Sequence, residues 1–177
     1  MLRVLLVVAA WSVIEAPLAR AQTPAVEYAV KATDLYKFAP FVEWPPEALS
    51  PSDPLVICTV GRDRVADLVD EAVSGQTSAG HPIRVIHVQG ALRDTHCNIL
   101  YVALRGAAAV TVLESIRGQP VLTITDAEQE PRAAGVVNFV VVDNRVRFEI
   151  DQRAAAENHL VISSKLLSLA IRVTPKS

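Results

Sequence analysis

Three stretches of this chain are apolar almost without interruption: LVICTVG from Leu55 to Gly61, CNILYVAL from Cys97 to Leu104, and PVLTIT from Pro120 to Thr125. A strand with one wet face alternates apolar and polar residues, whereas a run like these is covered on both faces. Helical patterns separate the runs. Between the first two lies Arg62–Ser74, with Val65, Leu68, Val69 and Ala72 at helical spacing, and then Ile83–Val88, which alternates. Between the second and third lies Ala107–Arg117, closed by Gly118. Strands alternating with helices specify an α/β fold: one domain, a mostly parallel sheet, and helices on both faces. One antiparallel hairpin is expected in VVNFVVVDNRVRFEID, turning at Asp143-Asn144. Gln152–Asn158 and ISSKLLSLAIRV are expected to be helical, the latter capped by Ser163 or Ser164.

The chain opens MLRVLLVVAAWSVIEAPLARAQ. Arg3, the apolar run Val4–Ile14 and the Ala19-Arg20-Ala21 pattern form a secretory signal, with cleavage expected before Gln22. The run is too short to span a bilayer, which takes about twenty residues. The division is therefore residues 1–21 as a cleaved signal and 22–177 as the working domain. The domain carries a net charge of −3, because the signal removes two arginines and one glutamate from a chain of −2. Without a basic excess it offers no phosphate-binding surface for nucleic acid. No later segment could cross a membrane. Export is expected to place the mature protein in an oxidising compartment outside the cytosol.

Export also bears on Cys58 and Cys97, the only two cysteines. In an oxidising space a disulfide is the default for such a pair. It would close a loop of about 40 residues and contribute roughly 4 kcal/mol. The rival is a metal site using His96 beside Cys97, but two sulfurs and one imidazole fall short of a closed zinc set.

Outside the signal the chain has eight aromatic residues. Five of them, Tyr28, Tyr36, Phe38, Phe41 and Trp44, fall between Tyr28 and Pro46. Tyr28, Ala32, Leu35, Ala39 and Val42 recur at helical spacing, so Glu27–Ala39 is expected to be a helix, ended by Pro40. Its aromatics would pack the helix and its exit onto the sheet, with Trp44, between Glu43 and two prolines, half exposed and usable by a partner. Residues 45–54, with four prolines and two serines, form a surface loop.

Candidate chemistry is sparse. Gly61-Arg62-Asp63 stands where a strand meets a helix, a place that binds phosphate in doubly wound folds, yet G-x-G-x-x-G is absent and Asp63 serves as a helix cap. Ser163-Ser164-Lys165 spells a serine–lysine pattern that capping also explains. His81, His87, His96 and His159 are scattered, and Glu128 and Glu130 sit in a polar loop. No nucleophile, metal set or acid–base pair emerges, so no enzyme and no cofactor are expected. In RVRFEID, Val146, Phe148 and Ile150 face one way and Arg145, Arg147 and Glu149 the other. The charged face either guards a strand edge against aggregation or docks a partner.

The stretch VKATDLYKFAPFVEWPPEAL resembles the opening signature of the YfiR family of exported proteins, close to V-K-A-x-x-L-Y-N-F-A-K-F-V-E-W-P. GQPVLTITD, GVVNFVVVDNRVRFEID and ISSKLLSLA resemble its later blocks in the same order, and the likeness covers roughly Val26 to Val173. The resemblance implies a periplasmic α/β protein without catalysis. It implies a partner, the periplasmic part of an inner-membrane diguanylate cyclase or sensor kinase, which is held inactive so that cyclic di-GMP falls and biofilm is restrained. It implies that Cys58 and Cys97 form a family disulfide. The blocks from Phe148 to Ile150 and Ser163 to Leu169 resemble the region tied to partner control. The expected partner contacts are accordingly Trp44, Arg147, Phe148, Glu149, Lys165 and Leu166, and a homodimer is a further expectation. Pro40 replaces a lysine of the signature, Gly135-Val136-Val137-Asn138 departs from Gly-Met-Ile-Asn, and a second cysteine pair of some members is missing. The alternative from another class is a module that binds a small ligand in the crevice near Gly61 and feeds a membrane sensor.

Overall fold

The computed structural model describes residues 24–89, 92, 95–127 and 134–176. The signal sequence and the polar loop carrying Glu128 and Glu130 lie outside them. In chain order the elements are α1 (Pro24–Lys37), a 3₁₀ turn (Ala39–Phe41), β1 (Val42–Glu43), β2 (Leu55–Gly61), α2 (Arg64–Val73), β3 (Thr77–Ser78) and β4 (His81–Val88). Then follow β5 (Ile99–Ala103), α3 (Gly106–Ser115), β6 (Leu122–Asp126), β7 (Val137–Val142), β8 (Arg145–Asp151), α4 (Gln152–Glu157), β9 (Val161–Ile162), α5 (Ser164–Leu167) and β10 (Arg172–Thr174).

The main sheet has the order β10-β8-β7-β6-β5-β2-β4-β3. It is parallel from β7 through β4 and between β8 and β10, with antiparallel pairing at β7–β8 and β3–β4. This is the mixed, mostly parallel α/β sheet that the apolar runs require. β5 and β6 are buried along their whole length. The hairpin turns where expected: Asp143 and Asn144 both have positive φ, 49° and 59°. A two-residue turn with both central residues in that region matches the twist of the flanking strands, and Asn and Asp tolerate it best after glycine.

Two helices differ from expectation at their ends. α1 begins at Pro24, whose missing N–H is harmless in a first turn, and gives way to the 3₁₀ turn around Pro40. The last helix is only α5, four residues long, with Ser163 as its cap (Oγ accepts from Leu166 N at 3.3 Å). The expected continuation to Val173 is corrected: Arg172, Val173 and Thr174 pair in register with Glu149, Ile150 and Asp151 of β8. β-Branched Ile171, Val173 and Thr174 favour that extended form.

The two faces of the sheet are unequally dressed. On one face the main core joins α1, α2 and the C-terminal segment to Leu55, Ile57, Ile99, Tyr101, Leu122, Ile124, Phe139 and Ile150. On the other face a smaller core packs Ala109 and Val112 of α3, and Ile116 just after it, against Cys58, Val60, Leu100 and Val102. That second layer covers β2, β5 and the end of β4. Over β7, β8 and β10 no helix among the described residues covers the same face.

The aromatic cluster is a core lid, as its spacing suggests. Phe38 is buried and meets the Phe148 ring edge-on at 5.1 Å and Phe139 at 5.9 Å. Such pairs contribute about 0.5–1.5 kcal/mol beyond area burial. Asp34, on the same helix, is pushed up to about 6 by burial, with Lys37 opposing the shift. Its carboxyl therefore keeps a proton in the folded state that the unfolded chain releases nearer pH 4. Stability falls as pH rises through that window and stays lower above it. Asp34→Asn, which cannot ionise, is expected to raise stability by about 1–2 kcal/mol at pH 7. That is less than the full equivalent of the shift because the group is partly exposed. The advantage should vanish near pH 4, as urea titrations at the two pH values would show.

Candidate functional site

Cys58 is fully buried on β2 and is bonded to Cys97, with Cα atoms 5.7 Å apart and 39 positions between them in sequence. Both sulfurs are taken up by that bond, which removes the metal alternative built on them. The bridge ties β2 to the segment entering β5. Asn98 reinforces the same junction: its Oδ1 accepts from Val56 N at 2.8 Å and its Nδ2 donates to the Ala48 carbonyl at 2.8 Å.

The six residues expected to meet a partner do not converge. Phe148 turns inward against Phe38, and Leu166 is buried in the main core. Arg147 and Glu149 point from the opposite face of β8. Trp44 packs against the core beside Leu49 and Leu55, and its Nε1 is shielded from solvent without a hydrogen-bond partner. Lys165 stands 5.6 Å over the Phe41 ring, a cation–π contact at the far end of the small β1–β9 sheet. Side chains from separate blocks of sequence thus belong to two different faces.

The uncovered sheet face is better defined. Alternation along β8 and register with β7 place Arg145 opposite Val142, Arg147 opposite Val140, and Glu149 opposite Asn138. Arg172 of β10 stands opposite Glu149 and bonds its carboxylate at 2.9 Å. β8 is therefore an interior strand and its charges guard no edge. The edge is β10, three residues long and followed by Pro175 and Lys176, which itself disfavours strand-to-strand addition. Val142, Leu169 and Ile171 are exposed nearby in the chain, at 41%, 59% and 48%. Residues 145–177 hold six basic and three acidic side chains, whereas residues 22–144 hold nine basic and fifteen acidic ones. A net +3 segment thus follows a net −6 one. The face is thus open, basic and partly apolar.

A second region lies at the C-terminal ends of β2, β5 and β6. Lys31 of α1 is completely buried, with Nζ 2.7 Å from Asp126 Oδ2 and 2.6 Å from Glu27 Oε1. Burial alone would lower its pKa, but the hydrogen bonds to Asp126 and Glu27 outweigh that and hold it above the ordinary lysine value. Beside it the fully buried Tyr101 donates its hydroxyl to Asp63 Oδ2 at 2.7 Å. Burial first, and then the Asp63 carboxylate, push that phenol far above its usual range, so it stays a donor. Asp63 caps α2 with its other oxygen, accepting from Ala66 N at 2.7 Å, as its position before the helix suggests. Gly61 has φ +83°, and a Cβ there would overlap the Ala103 carbonyl, so the ends of β2 and β5 stay close.

A third polar cluster escaped sequence reasoning. His87 Nδ1 lies 2.8 Å from Thr59 Oγ1, and its Nε2 lies 2.6 Å from Asp70 Oδ2. The types suggest a nucleophile, a base and an orienting acid. However, Thr59 is 1% exposed, so its hydroxyl reaches no substrate. The cluster clamps α2 to β4. Ser163 is likewise engaged as a helix cap, and Lys165 over a ring, so the serine–lysine pattern is not assembled.

Among the described residues no helix is long and apolar enough to cross a membrane. No curated protein matches the chain. A family model described as YfiR/HmsC-like matches residues 28–171, from the first turns of α1 to the residue before β10. The family is regulatory rather than catalytic. The match covers α1, the disulfide, the hairpin and α5 together, and the chain belongs to the YfiR/HmsC-like family.

Proposed function

We propose that this protein, once exported to the periplasm, binds the outer part of an inner-membrane diguanylate cyclase and holds that enzyme inactive. Family membership supports a periplasmic regulator, and the disulfide suits an oxidising compartment. The observation that carries the reading is the uncovered face of β7, β8 and β10. There Arg145, Arg147 and Arg172 surround Val140 and Val142 on a rigid sheet. Repression of this kind is a population shift: the regulator must bind the inactive form of the enzyme more tightly than the active form. A basic face with apolar centres fits a partner surface that is acidic at its rim and apolar within, and the charges speed the encounter. Within the expected set, Arg147 and Glu149 are the contacts kept here. Of the others, Phe148 and Leu166 lie in the core and Trp44 and Lys165 stand elsewhere on the molecule.

The test is capture of the partner from detergent-solubilised membranes on the immobilised mature chain, with the bound protein identified by sequence. A cyclase with a periplasmic domain is the expected catch. Arg145→Glu together with Arg147→Glu should weaken its binding at least tenfold and leave the melting temperature unchanged. Recovery of no membrane signalling enzyme, with cyclic di-GMP unaltered when the gene is deleted, would defeat the reading.

A further inference from the structure

The order of the parallel strands reverses between β2 and β5. β2 is followed by β4 on one side, and β5 then starts on the other side and winds outward through β6. In open α/β sheets the place outside the strand C-termini at such a reversal is where small ligands settle, because the chain departs in opposite directions and leaves a crevice. Here the crevice has a volume of about 630 Å³ and is bordered by Tyr28, Arg62, Arg64 and Arg105. A neighbouring cavity of about 780 Å³ shares Arg62 and Leu104 with it and adds Val60, Val88 and Val112. The two adjoin at Arg62 and Leu104, with the three arginines bordering the smaller one and Asp67 and Asp70 at the rim of the larger.

Of the four carboxylates bordering the two cavities, Asp63 and Asp126 have inward duties, whereas Asp67 and Asp70 are exposed and face Arg62 and His87. Asp63 binds the first turn of α2 and the Tyr101 hydroxyl, and Asp126 binds Lys31. The guanidiniums do not. Arg64 and Arg105 are exposed and make no ion pair among the described residues. Arg62 only brushes Asp67 at 3.4 Å, both groups being well exposed, which is worth little. Three guanidiniums border this one crevice, Arg62 from the β2–α2 turn, Arg64 from the start of α2 and Arg105 from the β5–α3 turn, and such groups suit an oxyanion, whose oxygens they engage in pairs. We infer that this crevice binds a small organic oxyanion, its carboxylate or phosphate held by Arg62, Arg64 and Arg105 and its apolar body laid over Val60, Leu104 and Val112. The inference stands apart from the sheet face proposed for the partner, which lies on β7, β8 and β10.

The test is calorimetric titration of the mature protein at low salt with phenyl phosphate, phenylacetate and phenol. At least one of the two oxyanions should bind saturably and at least tenfold more tightly than phenol, and the stronger of the two identifies the head group. Arg64→Glu with Arg105→Glu should weaken that binding at least tenfold while the ligand-free melting temperature holds. Should the reversal unsettle the fold, Arg64→Gln with Arg105→Gln should still weaken binding severalfold. Failure of both oxyanions to bind, equal binding of phenol, or unchanged affinity in the charge variants would each overturn the inference.

Discussion

Replacing Lys31 by methionine is expected to destabilise the protein by about 3–5 kcal/mol, more than any other single change away from the disulfide. The ammonium is completely buried and within 2.7 Å of Asp126, itself 3% exposed, and 2.6 Å of Glu27. Methionine fills a similar volume, so the loss is electrostatic rather than a cavity. Removing the ammonium takes a close counter-charge from the buried Asp126 carboxylate and leaves its desolvation less well compensated. The triple replacement Lys31→Met, Glu27→Gln and Asp126→Asn removes the charges together and should recover most of the loss. Denaturant unfolding of the two variants separates the explanations. If the triple variant is as unstable as the single one, Lys31 matters for its shape and the ion cluster is not the cause.

The second large effect concerns the bridge. Cys58→Ala with Cys97→Ala is expected to cost about 4 kcal/mol, the loop-closure value for the 39-position separation. A domain with typical stability of about 5–15 kcal/mol would survive this at room temperature with a much lower melting point. The loss should be located at one junction. β2 and the entry to β5 should show faster amide exchange, because the bridge and Asn98 hold them together. Exchange in the hairpin β7–β8, separated from that junction by β6, should quicken less. Equal loosening throughout would indicate that the bridge acts only by restricting the unfolded chain and holds no particular junction.

Much of the architecture could be seen in the sequence because it is set by short-range physics. An unbroken apolar run such as Leu100–Val102 has no stable home except a strand covered on both sides. Asp143-Asn144 declares its own turn, since few residues adopt positive φ as readily. Asp63 and Ser163 announce helix starts by offering an oxygen to the first turn. What stayed hidden depends on distant partners. Lys31 sits in a helix as an ordinary polar residue until Asp126, 95 positions later, closes over it. Thr59, His87 and Asp70 are unremarkable apart and meet only through the β2–β4 register. Residues 172–174 continue a helical pattern on paper and become a strand because β8 offers an edge. The open half of one sheet face is likewise a property of where α3 lies, and no segment encodes it alone.

These hidden features are the ones that bear on function. The charged side of β8 looks like edge protection until β10 is found to occupy the edge. The same residues then stand on an interior strand with nothing above them among the described residues, next to a basic C-terminal segment. The sheet, clamped by the bridge and the Lys31 cluster, holds that face rigid, so binding need not order it first.

Membranes bearing the native diguanylate cyclase, titrated with the purified mature protein while cyclic di-GMP synthesis is followed, probe the regulatory account most directly. Synthesis should fall along a saturable curve, and the Arg145→Glu, Arg147→Glu variant should need at least ten times more protein for the same effect. Synthesis that holds steady at every concentration, or falls equally with the charge-reversed protein, would contradict it.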